Sequence, residues 1–181
     1  LIEVAEAHAL GDRVRPWGVD VTTSVDMARV RDHLSAVVSD LTNGVSRLLA
    51  DAGVRVLDGH ARFSRPDRVA VAHGDTVEFL EHRHAIVATG SRPVELPDLS
   101  PDGDRVVGSD ELLFTDRLPK HLVLVGGGYV GVELGCAFAK LGSEVTIVEA
   151  EDRILPGFDT RIGRQVSRGL RRLGVGLCLS H

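Results

Sequence analysis

The sequence predicts an α/β fold in which parallel sheets of nucleotide-binding type are joined to an antiparallel β-meander, in a chain truncated at both ends. Three observations predict it. Between His121 and Glu149 an apolar run, a glycine turn, an amphipathic segment and a second apolar run succeed one another as strand, turn, helix and strand. Upstream, Ala85-Ile86-Val87-Ala88 is apolar on both faces and delivers Thr89-Gly90-Ser91-Arg92-Pro93, the pattern of a buried parallel strand whose carboxyl end carries a ligand loop. Before it, short alternating runs separated by turn residues suit a meander.

With 181 residues and 43% hydrophobic content, the chain is long enough to bury a sizeable core as one domain or two. A formal net charge of −5 argues against a nucleic-acid surface. No apolar run is long enough for a membrane span, and no basic start with an apolar middle marks a signal peptide. Cys136 and Cys178 stand 42 residues apart, which makes neither a disulfide framework nor a metal knuckle, so a cytoplasmic, reducing compartment is expected. The chain begins on Leu1 rather than Met and ends on Leu177 to His181, which reads as a strand just begun. Both ends are therefore expected to be cut.

Taken in order, Leu1, Val4, Ala5 and Ala9 recur on one helical face, so Leu1 to Leu10 reads as the tail of a helix. A loop with Gly11, Pro16, Trp17 and Gly18 leads to Ser24, the expected N-cap of a long helix from Val25 to Ala52. Leu34, Val37, Val38, Leu41, Val45, Leu48 and Leu49 form its stripe, Asn43-Gly44 marks a bend, and Gly53 ends it. The period then becomes alternating. Val54 to Leu57, Ala61 to Ser64, Val69 to Ala72, Thr76 to Leu80 and Ala85 to Ala88 read as strands, the middle three as the meander. From Pro93 to Lys120 the chain is rich in Pro, Asp and Gly, with one short helix near Ser109 to Phe114, and reads as a crossing between domains.

The best-defined unit follows. Leu122 to Val125 is an apolar strand that stops at Gly126-Gly127-Gly128-Tyr129-Val130-Gly131. In this GxGxxG, Gly126 permits a sharp turn, Gly128 close approach to a pyrophosphate, and Gly131 close packing of the following helix. Helix amides and the helix dipole then favour the phosphates without a basic side chain. The helix runs through Val132 and Leu141 to Gly142, and a strand from Val145 to Val148 ends on Glu149. Glu149 lies 18 residues past Gly131, where a carboxylate accepts hydrogen bonds from the ribose hydroxyls and repels a 2′-phosphate. NAD is thus favoured over NADP, although Arg153 stands near enough to weaken the preference. Asp159 or Thr160 caps a further helix striped by Ile162, Val166, Leu170 and Leu173, and Gly174 precedes a strand from Val175 to Leu179. Strand, helix, strand, helix, strand is one mononucleotide-binding half of a Rossmann-like fold.

The ordered set GHARF (Gly59 to Phe63), AIVATGSRP (Ala85 to Pro93), LPKHLVLVGGGYVGVELG (Leu118 to Gly135) and LGSEVTIVEAEDRILPGFD (Leu141 to Asp159) resembles the flavin disulfide reductases. These are FAD-dependent pyridine nucleotide-disulfide oxidoreductases, and the resemblance is greatest to the branch that oxidises dihydrolipoamide. It covers nearly the whole chain. It implies a partial FAD-binding domain with the crossing at residues 1–117 and the first half of an NAD-binding domain at 118–181. In such proteins electrons pass from a dithiol through a redox disulfide and FAD to NAD. A homodimer partner and a lipoyl-bearing acyltransferase complex are implied for the full-length protein. Mercuric reductases and pyridine-nucleotide transhydrogenases share most of these motifs, and a non-catalytic nucleotide-binding module is the remaining alternative.

By the resemblance, Ala61 contacts the adenine side of FAD through its backbone, and Thr89, Gly90 and Ser91 close over the flavin cofactor. Gly126, Gly127, Gly128, Tyr129, Val130, Gly131, Val132 and Glu133 form the NAD loop, with Glu149 as the ribose acid. Tyr129 either gates the nicotinamide pocket or merely covers the loop. Glu133 either pairs with a lysine beside the flavin, absent from this chain, or is a solvated helix residue. The family's first GxGxxG, its Cys-x4-Cys pair and its His-Glu dyad are also absent, and Leu1 falls about where the family's redox-cysteine helix ends. No catalytic residue is assigned, and the chain is expected to be inactive as it stands. His82 and His84 read as a solvated strand end rather than metal ligands, Cys136 as a packed core thiol, and Arg161, Arg164, Arg168, Arg171 and Arg172 as a solvated face.

Overall fold

A computed structural model describes residues 1–94, 96–97 and 99–181. Glu95 and Asp98, within the expected crossing, lie outside the described residues. The chain divides into two compact units, Leu1–Val37 with Asp98–His181, and Val38–Pro97. No helix among the described residues is long and apolar enough to cross a membrane.

The first unit opens with α1 (Ile2–His8), α2 (Leu10–Val14) and a 3-10 turn at Arg15–Trp17. Part of the expected loop is therefore helical. Pro16 fits the start of a 3-10 turn because the missing N–H has no partner to lose there. The long helix α3 (Met27–Asp51) starts later than expected. Asp26, not Ser24, caps it, its Oδ1 accepting the Arg29 N–H at 3.2 Å. α3 is continuous through Asn43-Gly44 and runs on into the second unit.

Within the second unit, β1 (His60–Arg65), β2 (Arg68–His73) and β3 (Thr76–Glu81) form the expected antiparallel meander, in the order β1-β2-β3. Ala70 and Val71 of β2 are buried, Arg68 lies 4.0 Å over the Phe79 ring, and a bulge interrupts β1 between Phe63 and Arg65. Val54–Leu57 and Ala85–Ala88, both expected to be strands, are not. A strand exists only through its neighbour's hydrogen bonds, and among the described residues none lies beside either segment. Val56 is 61% exposed and Ile86 94%.

The first unit resumes with α4 (Ser109–Leu113), preceded by a loop in which the Asp102 carboxylate accepts the amides of Asp104, Arg105 and Val106 at 2.8–2.9 Å. Those bonds hold its carboxyl below the usual range. Next come β4 (His121–Val125), α5 (Tyr129–Leu141), β5 (Glu144–Glu149), α6 (Thr160–Arg172) and β6 (Gly176–Leu179). The strands form a parallel sheet in the order β4-β5-β6, with Leu122 opposite Val145 and Val148 opposite Cys178. Phe138, Val145, Ile147, Ile154 and Leu170 make its core. The apolar run of β4 suggests burial on both faces, but β4 is an edge strand among the described residues, with Val123 and Val125 exposed. Gly142 ends α5 at φ +104, and Asp159 caps α6 through the Arg161 N–H at 2.8 Å.

Candidate nucleotide-binding site

β4 releases the chain into Gly126, whose φ of +109 suits glycine and whose N–H donates to the Val148 carbonyl at 2.8 Å. The turn then closes so tightly that a Cβ on Gly131 would stand 2.1 Å from the Gly126 oxygen. Gly128 is the extended N-cap of α5, with open space where a side chain would be. The first-turn amides of α5 have no intrahelical acceptor, so the turn presents N–H groups and the positive helix end in one direction.

Glu149, at the end of β5, is held against this turn. Its Oε2 accepts the Gly127 N–H at 2.6 Å and its Oε1 accepts the Glu151 N–H at 3.0 Å. The Gly127 carbonyl in turn accepts the Leu155 N–H at 2.8 Å, with Leu155 at φ +53. Ile154, fully buried, fills the space beside Gly127, where a Cβ would come within 3.0 Å of its Cγ2. Arg153 is turned to its own loop, its guanidinium donating to the Thr160 hydroxyl and, at 2.8 Å, to the Pro156 carbonyl. Tyr129 and Val130 are exposed on the first turn of α5, and Val132 is buried beneath it.

Glu133 is exposed and makes no ion pair among the described residues. It rims a groove of about 220 Å³ between α1 and α5, lined also by Ile2, Ala5, Val132, Cys136, Ala137 and Lys140. Lys140 pairs instead with Glu6 of α1, whose carboxyl is lowered by that hydrogen bond and charge. Burial pushes the Cys136 thiol up, against the opposing charge of Lys140. Half-buried and unpaired, it is a packing thiol, as expected.

The structure brings Gly126–Glu133 and Glu149 together in the first unit, and it sets Ala61, Thr89, Gly90 and Ser91 in the second. Ala61 lies in β1 opposite Val71. Thr89, Gly90 and Ser91 are exposed, and no hydrogen bond among the described residues holds them. His82 departs from expectation. Both its ring nitrogens are shielded without a partner, and the ring meets Phe63 edge-on at 5.7 Å. No metal-binding cluster exists among the described residues. Sequence reasoning assigned Ile154 and Leu155 no role. The available signal was an apolar pair inside a polar loop, directly before Pro156-Gly157.

The family model of the pyridine nucleotide-disulphide oxidoreductases matches residues 3–181. The chain belongs to this family. Membership carries FAD and a pyridine nucleotide, NAD or NADP, as the cofactors. Among curated oxidoreductases it is similar to the dihydrolipoyl dehydrogenase of Pseudomonas aeruginosa, 46% identical over 178 residues, which is 98% of this chain and 37% of that protein. It is also similar to that of Haloferax volcanii, 40% identical, covering 96% of this chain and 37% of that one. Among solved structures, LpdA of Mycobacterium tuberculosis superposes at a TM-score of 0.85 with 26% identity, over 99% of this chain and 40% of that one. The HOCl-induced flavoprotein disulfide reductase RclA of Escherichia coli superposes at 0.77 with 31% identity, over 99% and 37%. The chain thus spans under half the length of the oxidoreductases of this family that it matches, and its mixed α/β architecture is theirs.

Proposed function

We propose that these residues belong to a dihydrolipoamide dehydrogenase, with 118–181 as the first half of its NAD-binding domain and 1–117 as part of its FAD-binding domain with the crossing. Grouping of Leu1–Val37 with the nucleotide unit in space reflects the packing of α1 on α5 and does not bear on which cofactor each segment serves.

One observation carries the nucleotide reading: Glu149 is bonded to the glycine turn it would serve. Each carboxylate oxygen has two lone pairs. Each accepts one amide, so a lone pair on each remains for the two ribose hydroxyls. A 2′-phosphate would meet that negative charge, and Arg153, the nearby cation in sequence, is committed to Thr160 and Pro156. Within the Gly126–Val132 loop the amides of Gly128, Tyr129, Val130 and Gly131 would hold the pyrophosphate, those of Gly126, Gly127 and Val132 being taken by Val148, Glu149 and Gly128, and Tyr129 would gate the nicotinamide pocket. The donor set and the open space at Gly128 fit NAD. For FAD, the exposed and unanchored Thr89, Gly90 and Ser91, with Ala61, build no cradle by themselves. The chemistry FAD supplies when bound is electron relay between dithiol and pyridine nucleotide. In the full-length protein the dithiol of dihydrolipoamide would become the disulfide of lipoamide, its two electrons and one proton passing on as a hydride to NAD and its second proton leaving to solvent. Glu133 would pair with a lysine beside the flavin. A cytoplasmic location, a homodimer partner and a lipoyl-bearing acyltransferase complex belong to the same proposal.

Amide-resolved NMR titration of the 181-residue chain with NAD and NADP tests the nucleotide half. Shifts confined to the glycine turn and Glu149, stronger for NAD, support it, and equal responses would remove the NAD preference. Assay of the protein expressed from the full reading frame tests the rest. NAD reduction by dihydrolipoamide supports the proposal, whereas mercuric-ion-dependent NADPH oxidation or hydride exchange between nucleotides without dithiol would replace it.

A further inference from the structure

The loop after β5 contains a backbone outlier that the nucleotide reading leaves unexplained. Leu155 sits at φ +53. Leucine has no polar side chain to stabilise a left-handed backbone, and the residue before a proline, here Pro156, is restricted further. Such conformations persist only where the surroundings over-determine them, and they gather at ligand sites.

The surroundings here are explicit. Arg153 ties the loop to the Thr160 hydroxyl and the Pro156 carbonyl, and the Phe158 N–H donates to the Leu155 carbonyl at 3.0 Å. The Ser180 N–H, just past β6, donates to the Glu151 carbonyl at 2.9 Å. Ile154 and Leu155 are both buried, at 0% and 6% exposure. The product of this arrangement is one hydrogen bond, from the Leu155 N–H to the Gly127 carbonyl at 2.8 Å. Gly127 is the middle of three consecutive glycines, the backbone with the most freedom to lose on ordering. Its N–H is already taken by Glu149, so with Leu155 on its carbonyl both peptide groups of Gly127 are fixed in orientation.

We propose that Leu155 is a positioning residue for the nucleotide loop. Its left-handed backbone aims its N–H at Gly127 and preorganises the glycine turn, so that a bound dinucleotide does not have to order it. This rests on the reading that the turn binds NAD.

The test compares Leu155→Asn with Leu155→Val in the 181-residue chain, by NAD titration followed at the Gly127 and Gly128 amides. Valine keeps an apolar side chain but its β-branch resists positive φ, whereas asparagine tolerates positive φ but is polar. The proposal expects about tenfold weaker NAD binding for valine and under about threefold for asparagine. A purely packing role expects the opposite order, and valine binding as tightly as the parent overturns the proposal. Should Leu155→Val fail to fold, Leu155→Gly and Leu155→Ala repeat the comparison. Tighter binding by glycine supports the proposal, and equal or tighter binding by alanine overturns it. If the parent chain shows no response to NAD, the nucleotide reading fails, and amide exchange without ligand decides the clamp. Faster exchange at Gly127 in valine than in asparagine keeps it, and equal exchange overturns it.

Discussion

Two residues at the glycine turn are constrained by different physics. Gly131 is constrained by volume. A methyl there would sit 2.1 Å from a backbone oxygen that moves only if the turn moves. Gly131→Ala is expected to lower stability by about 1–3 kcal/mol and to weaken NAD binding, read from thermal unfolding and from titration. Glu149 is constrained by charge. Gln at this position keeps an acceptor but loses the negative charge that two amides and, on our proposal, two ribose hydroxyls meet. Glu149→Gln is expected to weaken NAD binding about tenfold while leaving NADP binding little changed, so the ratio of the two dissociation constants narrows. An unchanged ratio would remove Glu149 from the selection of nucleotide.

At the scale of elements, α1 is tied to α5 by the Glu6–Lys140 pair and by Ala5, which is fully buried. Glu6 binds its proton less readily in the folded chain because Lys140 hydrogen-bonds and attracts the carboxylate. Its contribution is therefore complete above the ordinary glutamate value of 4.5 and is lost as pH falls through the lowered folded value. Lys140→Met removes that acid-side loss, so the difference in Tm between parent and variant is expected to shrink from neutral pH to pH about 3. A pH-independent difference would show that the lysine acts through packing alone. α3 offers a second test. Gly44 lies in its interior, a Cβ there would meet nothing within 4 Å, and glycine adds backbone freedom to the unfolded chain. Gly44→Ala is expected to stabilise by about 0.5–1 kcal/mol, checked by denaturant titration.

For the molecule as a whole, the exposed apolar surface stands out. Val45 and Leu48 on α3, Val56 beyond it, and Ile86 and Val87 are all exposed in the second unit. On α3 the exposed Leu41, Val45 and Leu48 recur at helical spacing, and a contiguous exposed apolar face of that kind marks a surface that takes a partner. The 181-residue chain is expected to bind a hydrophobic dye and to associate with rising concentration, measured by dye fluorescence and light scattering. A monomer that binds no dye would contradict this.

What the sequence alone determined is what depends on a few neighbouring residues. Periodicity marked the meander and the strand-helix-strand-helix-strand unit, and the glycines at 126, 128 and 131 marked the turn, because a turn and a helix start are local conformations. The tertiary structure decided whatever needs a distant partner. Glu149 meets an amide 22 residues away, and Leu155 takes its left-handed backbone because Gly127 and the walls of its loop hold it there. Arg153 is withdrawn by Thr160. Val54–Leu57 and Ala85–Ala88 carry the composition of strands and are not strands, because composition supplies the side chains but only an adjacent strand supplies the hydrogen bonds.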